Sequence, residues 1–236
     1  MTYLSVNINK VATLRNARGG NVPDVVRFAM DCEAFGAQGI TVHPRPDERH
    51  IRHADVYAIK DAINVEFNIE GYPSEDFIQL VKQVRPAQVT LVPDSREQLT
   101  SNHGWDTVMC REFLTEVTSS LHEAGCRVSL FVDPAPAYVE CAKVCGADRV
   151  ELYTGPYAEL FRQHPLMAID QYRPAAEAAR AVGLGLNAGH DLSLQNLHPL
   201  VEAFPWIDEV SIGHQLICDA LYLGIKETIK QYKAQL

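Results

Sequence analysis

Side chains able to move protons stand at separated points of the chain. His43 lies in TVHPRPDERHI, Glu70 closes the apolar run VEFNIE, Glu151 sits inside VELY, and His190 follows NAG. The two glutamates are the most telling. A carboxylate inside or at the end of an apolar run is desolvated on folding unless it is hydrogen-bonded or used. Burial raises its pKa toward neutrality, where it can serve as general base or acid. Polar residues at strand ends are more often turn formers or helix caps, and Asp133, directly before Pro134, is read as a cap.

Cationic groups gather in the same places. His43, Arg45, Asp47, Arg49 and His50 fall in one short loop, which Pro44 and Pro46 stiffen by fixing their own backbone angles. Guanidinium groups presented this way suit phosphate, which they bind bidentately. A metal reading is weaker, because two histidines spaced HxxxxxxH in a loop lack the geometry of a helical HExxH, and no metal is expected. NAGHD and SIGH are further phosphate candidates, with Gly189 and Gly213 allowing close backbone approach. Arg15 and Arg18 in TLRNARGG are candidates for a second anionic subsite.

Something must bring these distant segments together, and the rhythm of the chain supplies it. Short β-rich apolar runs alternate with helical periodicity. Eight strands are expected over 3–8, 39–42, 65–69, 88–91, 127–132, 149–152, 184–187 and 209–212. Helical stretches are expected over 23–35, 55–62, 74–84, 111–124, 138–144, 174–182, 194–203 and 220–235, with Pro23 and Pro174 suiting a first helical position. The 236 residues divide into units of about 30, the size of a βα repeat in a (β/α)₈ TIM barrel. A doubly wound sheet would favour a glycine-rich turn after the first strand, and neither GxGxxG nor GxxxxGK[ST] is present. No linker or composition shift divides the chain, so residues 1–236 are read as a single domain. In a barrel, the carboxyl ends of the strands form one rim. Asn7, Asn9, His43, Arg45, Asn68, Glu70, Glu151, Asn187, His190, Gly213 and His214 all fall there.

Composition narrows the partners. With 21 Lys plus Arg against 30 Asp plus Glu, the formal charge is −9, and no basic run is visible. That disfavours nucleic acid and anionic membrane surfaces, which need clustered cations, but not small anions held locally. MTYLSVNINK is neither a signal nor a transit peptide, and no apolar run reaches the roughly 20 residues of a membrane span. The six cysteines form no CxxC pair and read as reduced core thiols of a cytoplasmic protein.

The strings VNINKVATLRNARGG, GITVHPRPDERHI, FNIE, VTLVPD, VSLFVD, VELYTGPYA, LNAGH and SIGH together resemble the pyridoxine 5′-phosphate synthase family of the deoxyxylulose-dependent vitamin B6 pathway. The resemblance spans nearly the whole chain. It implies a (β/α)₈ barrel with extra short helices, a cytoplasmic homo-octamer built from four dimers, and no metal or organic cofactor. It also implies the condensation of 3-amino-2-oxopropyl phosphate with 1-deoxy-D-xylulose 5-phosphate, closing a pyridine ring and releasing phosphate and water.

By motif, the resemblance puts general bases at His43 and Glu70, a proton donor at His190, and transition-state stabilisation at Glu151. Aminoketone phosphate contacts fall on Asn7, Arg18, Asp191, Gly213 and His214, and deoxyxylulose phosphate contacts on Asn9, Lys10, Arg45, His50 and Thr100. Asn9 and Lys10 stand where the family commonly has Asp and His, Asp191 where it often has Gly, and Pro44 and Pro46 depart from one common form of their loop. Shielding of imine intermediates falls to a mobile rim loop expected over 93–104. Two other readings are a phosphosugar isomerase or epimerase with one carboxylate base, and a catalytically silent sugar-phosphate sensor. Acid/base groups on four strand ends and two cationic clusters oppose both.

Overall fold

Each strand carries two alternating sets of side chains, and the whole architecture follows from where each set is buried. In the computed structural model, which describes residues 1–94 and 101–236, eight strands form: β1 (Tyr3–Asn7), β2 (Gly39–Val42), β3 (Glu66–Gly71), β4 (Gln88–Leu91), β5 (Arg127–Val132), β6 (Arg149–Tyr153), β7 (Gly185–Gly189) and β8 (Ile207–Ile212). They pair in parallel in chain order, and β8 closes on β1 to complete the barrel. The expected strands are all present, with only end residues adjusted. One set, including Leu4, Val6, Ile40, Ile69, Val89, Leu130, Val150 and Val210, is fully buried and apolar and packs beneath the helices.

The alternate set is polar and faces the barrel interior. Ser5 and Thr41 hydroxyls lie 2.7 Å apart, the Asn68 amide donates to Thr41 Oγ1 at 3.3 Å, and Thr90 donates to Asn68 Oδ1 at 3.1 Å. Barrels of this class usually fill their interior with branched apolar side chains. Here a hydrogen-bonded polar interior leads up to the rim, which is how carboxylates are buried beneath a site.

The helices are α1 (Asn9–Asn16), α2 (Val25–Ala34), α3 (His53–Ala62), α4 (Glu75–Val84), α5 (Arg111–Glu123), α6 (Pro136–Val144), α7 (Gly155–Phe161), α8 (Pro165–Ala181), α9 (Leu197–Ala203), α10 (His214–Leu223) and α11 (Ile225–Lys233). Four expectations need correction. Pro23 precedes α2, whose N-cap is Asp24, its carboxylate accepting from the Arg27 N–H at 3.0 Å. Pro174 lies inside α8, which starts instead at Pro165. A continuous stripe of Ala168, Tyr172, Ala175, Ala176 and Ala179 buries one face on both sides of Pro174, and that burial outweighs the lost N–H bond. The single closing helix is two, separated by Gly224 at φ 77°. Asp133 does not cap α6, whose N-cap is Ala135; its carboxylate accepts from the Gly104 N–H at 3.2 Å. Helices α1 and α7 add to the expected set. Among the described residues no helix is long and apolar enough to cross a membrane.

Candidate active site

A cavity of about 380 Å³ opens where the strands end, and its walls come from seven of the βα junctions, all but that of β5. Backbone and side chain are stitched together there. Asn7, ending β1, donates from its amide to Glu70 Oε2 at 3.3 Å and accepts from the Asn9 N–H at 3.1 Å. Asn9 in turn accepts from the His43 N–H at 2.9 Å, tying α1 to the end of β2. These bonds place His43 Nδ1 4.0 Å from Glu70 Oε2, with both side chains buried.

Burial dominates the electrostatics of this pair. It pushes Glu70 up to about 8, helped by the charges of Asp94 and Glu209 and opposed by Arg45 and a hydrogen bond from Ser211. It pulls His43 well below the usual imidazole range, and Arg45 and His50 reinforce that. At neutral pH the imidazole is therefore free to accept a proton and the carboxyl still holds one. Glu151 is further from its ordinary state. It is 1% exposed, neither oxygen has a hydrogen-bond partner, and burial, with the charges of Glu70 and Glu209, raises its pKa strongly. It does not line the cavity surface but lies beneath it, packed against Gly189, where any Cβ would collide with Glu151 Oε1.

His190 is presented by a strained turn. It and Asp191 adopt φ of 81° and 58°, a conformation that side chains other than glycine rarely take. Thr154 secures the turn by donating to the carbonyls of Gly189 and His190, both at 2.5 Å. The imidazole packs on Phe131 and Tyr153, with centroids 4.7 and 5.6 Å away, and its buried Nδ1 has no partner. Burial lowers its pKa, while Asp191 and Asp94 pull the other way.

The donors for an anion come from neighbouring strand ends. Lys10 lies in the first turn of α1, Arg45 and His50 follow β2, and all three line the cavity. The His50 Nδ1 accepts from the Ile51 N–H at 2.9 Å, so the neutral ring carries its proton on Nε2; burial and Arg45 hold its pKa down to about 4. After β8, Gly213 caps α10 and His214 begins it. A Cβ on Gly213 would sit 3.1 Å from Asn7 Cβ, a tight contact that glycine avoids as the helix terminus approaches β1.

Three other sequence candidates stand apart from this grouping. Arg18 is exposed beyond α1 and does not line the cavity. Thr100 and part of the 93–104 loop lie outside the described residues. Arg15 is not an anion subsite: fully buried, it clamps Asp55 with bonds of 2.6 and 2.8 Å and donates to the His50 carbonyl at 3.0 Å. Its task is to brace the loop that carries His50.

Asp94, after β4, escapes the sequence reading although it belongs to the site. Its Oδ2 accepts from Arg45 at 2.5 Å and from Ser101 at 2.6 Å, and its Oδ1 is buried without a partner. The strand-end rule that found the others would have found it at VPD. Tyr153 and Ser211 are likewise cavity residues reached only through the inward alternation of β6 and β8. Among the described residues no group of three or more His, Cys, Asp or Glu is arranged to hold a metal ion.

The model of a family described as "Pyridoxal phosphate biosynthesis protein PdxJ" matches residues 4–236. A protein of Bacteroides fragilis named pyridoxine 5′-phosphate synthase is 62% identical over 233 residues, 99% of this chain and 98% of that relative. One of Cytophaga hutchinsonii with the same name is 59% identical over 236 residues, 100% of this chain and 99% of its own. Among solved structures, a phosphoribosylanthranilate isomerase of Thermotoga maritima superposes with a TM-score of 0.59 at 14% identity, over 100% of this chain and 98% of that one. That last likeness is one of fold alone.

Proposed function

The chain belongs to the PdxJ family of pyridoxal phosphate biosynthesis proteins, and from that premise we propose that it is a pyridoxine 5′-phosphate synthase. It condenses 3-amino-2-oxopropyl phosphate with 1-deoxy-D-xylulose 5-phosphate to pyridoxine 5′-phosphate, inorganic phosphate and water. The observation that carries this reading is the Glu70–His43 pair, two buried groups 4.0 Å apart with pKa values pushed in opposite directions. Schiff-base formation, loss of water and phosphate, and ring closure require repeated proton transfers at one place, and such a pair serves them.

In this scheme neutral His43 accepts a proton from the reacting carbon or amine. Glu70 exchanges protons with it, and the fraction of Glu70 ionised and able to act as base grows as pH approaches 8. Glu151, protonated by its burial, donates a hydrogen bond to oxygen that gains negative charge, as a carboxylic acid can and a carboxylate cannot. His190 is the proton donor. Its pKa is lowered in the ligand-free protein, and a bound phosphate dianion would favour the imidazolium and so charge it when substrate arrives.

Two phosphate clamps then hold the substrates in reacting order. Lys10, Arg45, His50, Asn9 and Thr100 take the deoxyxylulose phosphate. Asn7, Asp191 and the Gly213–His214 turn take the aminoketone phosphate, Asp191 through its backbone, and Arg18, outside the cavity, takes no part. Fixing both ends makes a bimolecular condensation effectively unimolecular. The chain acts as a single domain in the cytoplasm and assembles as a homo-octamer. Leu221 and Tyr222, 71% and 91% exposed at the end of α10, support self-association.

Mixing the two phosphates with the protein should yield a pyridine chromophore and one inorganic phosphate per ring. Folded protein that gives neither would sink the assignment. Binding of deoxyxylulose phosphate without phosphate release would favour the sensor reading instead.

A further inference from the structure

We infer that Glu209, on β8 below the cavity, is a positioning residue that keeps protons on Glu70 and Glu151 by sharing one closed barrel with them. Three carboxyl groups project into the interior from β3, β6 and β8, and Glu70, Glu151 and Glu209 are 4%, 1% and 2% exposed. They are not treated alike. Glu209 has a guanidinium partner, Arg149 Nη1 at 3.7 Å from its Oε2, and the Gln88 amide donates to its Oε1 at 3.4 Å. Glu70 receives the Asn7 amide, while both oxygens of Glu151 are unpartnered.

The register links them laterally. Glu209 lies beside Asn187 on β7, and Asn187 beside Glu151 on β6. The cations at the lower end are already committed, because Arg127 pairs with Glu66, and Arg149 also donates to Asn187 at 3.1 Å. Of the three buried carboxyls only Glu209 forms an ion pair with a guanidinium, and Arg45 acts on Glu70 through its charge alone. In one low-dielectric interior like charges disfavour one another, so the proton deficit settles on the group with compensation and the others stay protonated.

The groups facing each carboxyl agree with this division. Around Glu209 stand Arg149 from β6, Gln88 from β4, Arg127 from β5 and Glu66 from β3. Around Glu70 stand Asn7, His43, Arg45, Asp94 and Ser211, so that of the charges acting on it only Arg45 favours ionisation. Glu151 is acted on by Glu70 and Glu209 and by no cation. Burial raises Glu209 only to about 7, because Arg149 pulls it down.

The consequence deepens the reading of Glu70 as a base, on which it rests. The charge of Glu209 delays ionisation of Glu70 and keeps Glu151 a hydrogen-bond donor. Glu209→Gln in the full chain should move the acid limb of the kcat–pH profile to lower pH by about one pH unit. Glu209→Asp, which keeps the charge, should leave the limb in place. A limb unmoved in Glu209→Gln, or moved equally in both variants, overturns the inference. If Glu209→Gln does not fold, infrared titration of the wild-type protein decides. Protonated-carboxyl absorption is expected to persist after a first buried carboxyl has ionised near pH 7, and its complete loss in that first step overturns the inference. That measurement needs no substrate, so absorption present in a protein that makes no pyridoxine 5′-phosphate would sink the functional reading and leave this one standing.

Discussion

Strand β3 begins and ends on a glutamate region, and its two ends treat the same side chain oppositely. At the lower end burial pushes Glu66 up, but the hydrogen bond and charge of Arg127 outweigh it and hold the carboxyl below its ordinary range. At the upper end Glu70 has the Asn7 amide at 3.3 Å, the Ser211 hydroxyl and a neutral imidazole nearby but no bonded cation, and it rises to about 8. The lower end is a closed network, in which Arg127 also donates to Gln88 at 2.9 Å and Gln88 in turn to Glu209. The upper end leaves Asp94 Oδ1, both Glu151 oxygens and His190 Nδ1 without partners. Unsatisfied buried groups cost stability. Four of the six such atoms among the described residues lie there, the others being Thr118 Oγ1 and Ser129 Oγ, and at the rim a ligand can complete the hydrogen bonding.

The contrast can be broken by exchanging what each end depends on. The largest effect belongs to Glu70→Gln, which should lower kcat by about 10²–10⁴ with substrate binding retained, the usual worth of a general base. Full activity in that variant would end the proposed role. Arg15→Ala comes next. It leaves the partly buried Asp55 carboxylate without its cation, with only the Arg52 N–H still bonded to it, and denaturant unfolding should record a loss of about 3–5 kcal/mol. A loss near zero would mean that the clamp does not brace the loop. Gly189→Ala forces a methyl group against Glu151 Oε1, and calorimetry should show a destabilisation of about 1–3 kcal/mol together with reduced kcat.

The pH response carries the sign of the upper end. Glu70 has a folded pKa of about 8 against an ordinary 4.5. The fold therefore binds a proton that the unfolded chain releases, and stability falls as pH rises between those values. Glu209, raised to about 7, acts in the same direction. Ligand-free protein should melt at progressively lower temperature from pH 5 to pH 8, less steeply in Glu70→Gln. The smallest effect is expected at the lower end. Glu66→Gln breaks a partly exposed pair and should cost about 0–1 kcal/mol with kcat unchanged. A large loss of activity there would erase the distinction between the two ends.

Much of the fold is legible because strand periodicity is local. Each β run announces itself by apolar alternation between turn signals, whatever it later pairs with. The helices that escape are short or break a rule. The segment NKVATLRN has too little apolar periodicity to announce α1, and α7 opens on Gly155 and Pro156, holding its place by burying Tyr157 and Ala158. Pro174 misleads because the apolar face that carries α8 through it is a tertiary surface. Among site residues, His43, Glu70 and Glu151 were legible as polar groups within or ending apolar runs. Arg15 was legible as a cation, but its partner Asp55 is far along the chain and unreadable from it.

The sequence by itself determined the eight-strand barrel, the rim on which the acid/base groups fall, and, through motifs along its whole length, the family. Spacing and residue type are properties of the chain and survive without coordinates. Only the tertiary structure decided which charges meet: that Arg15 is taken by Asp55 and Arg45 by Asp94, that Arg127 quiets Glu66 while Glu70 meets a neutral imidazole, and that three carboxyls share one interior. Protonation depends on distance and on the loss of water around each group, and neither exists until the barrel closes.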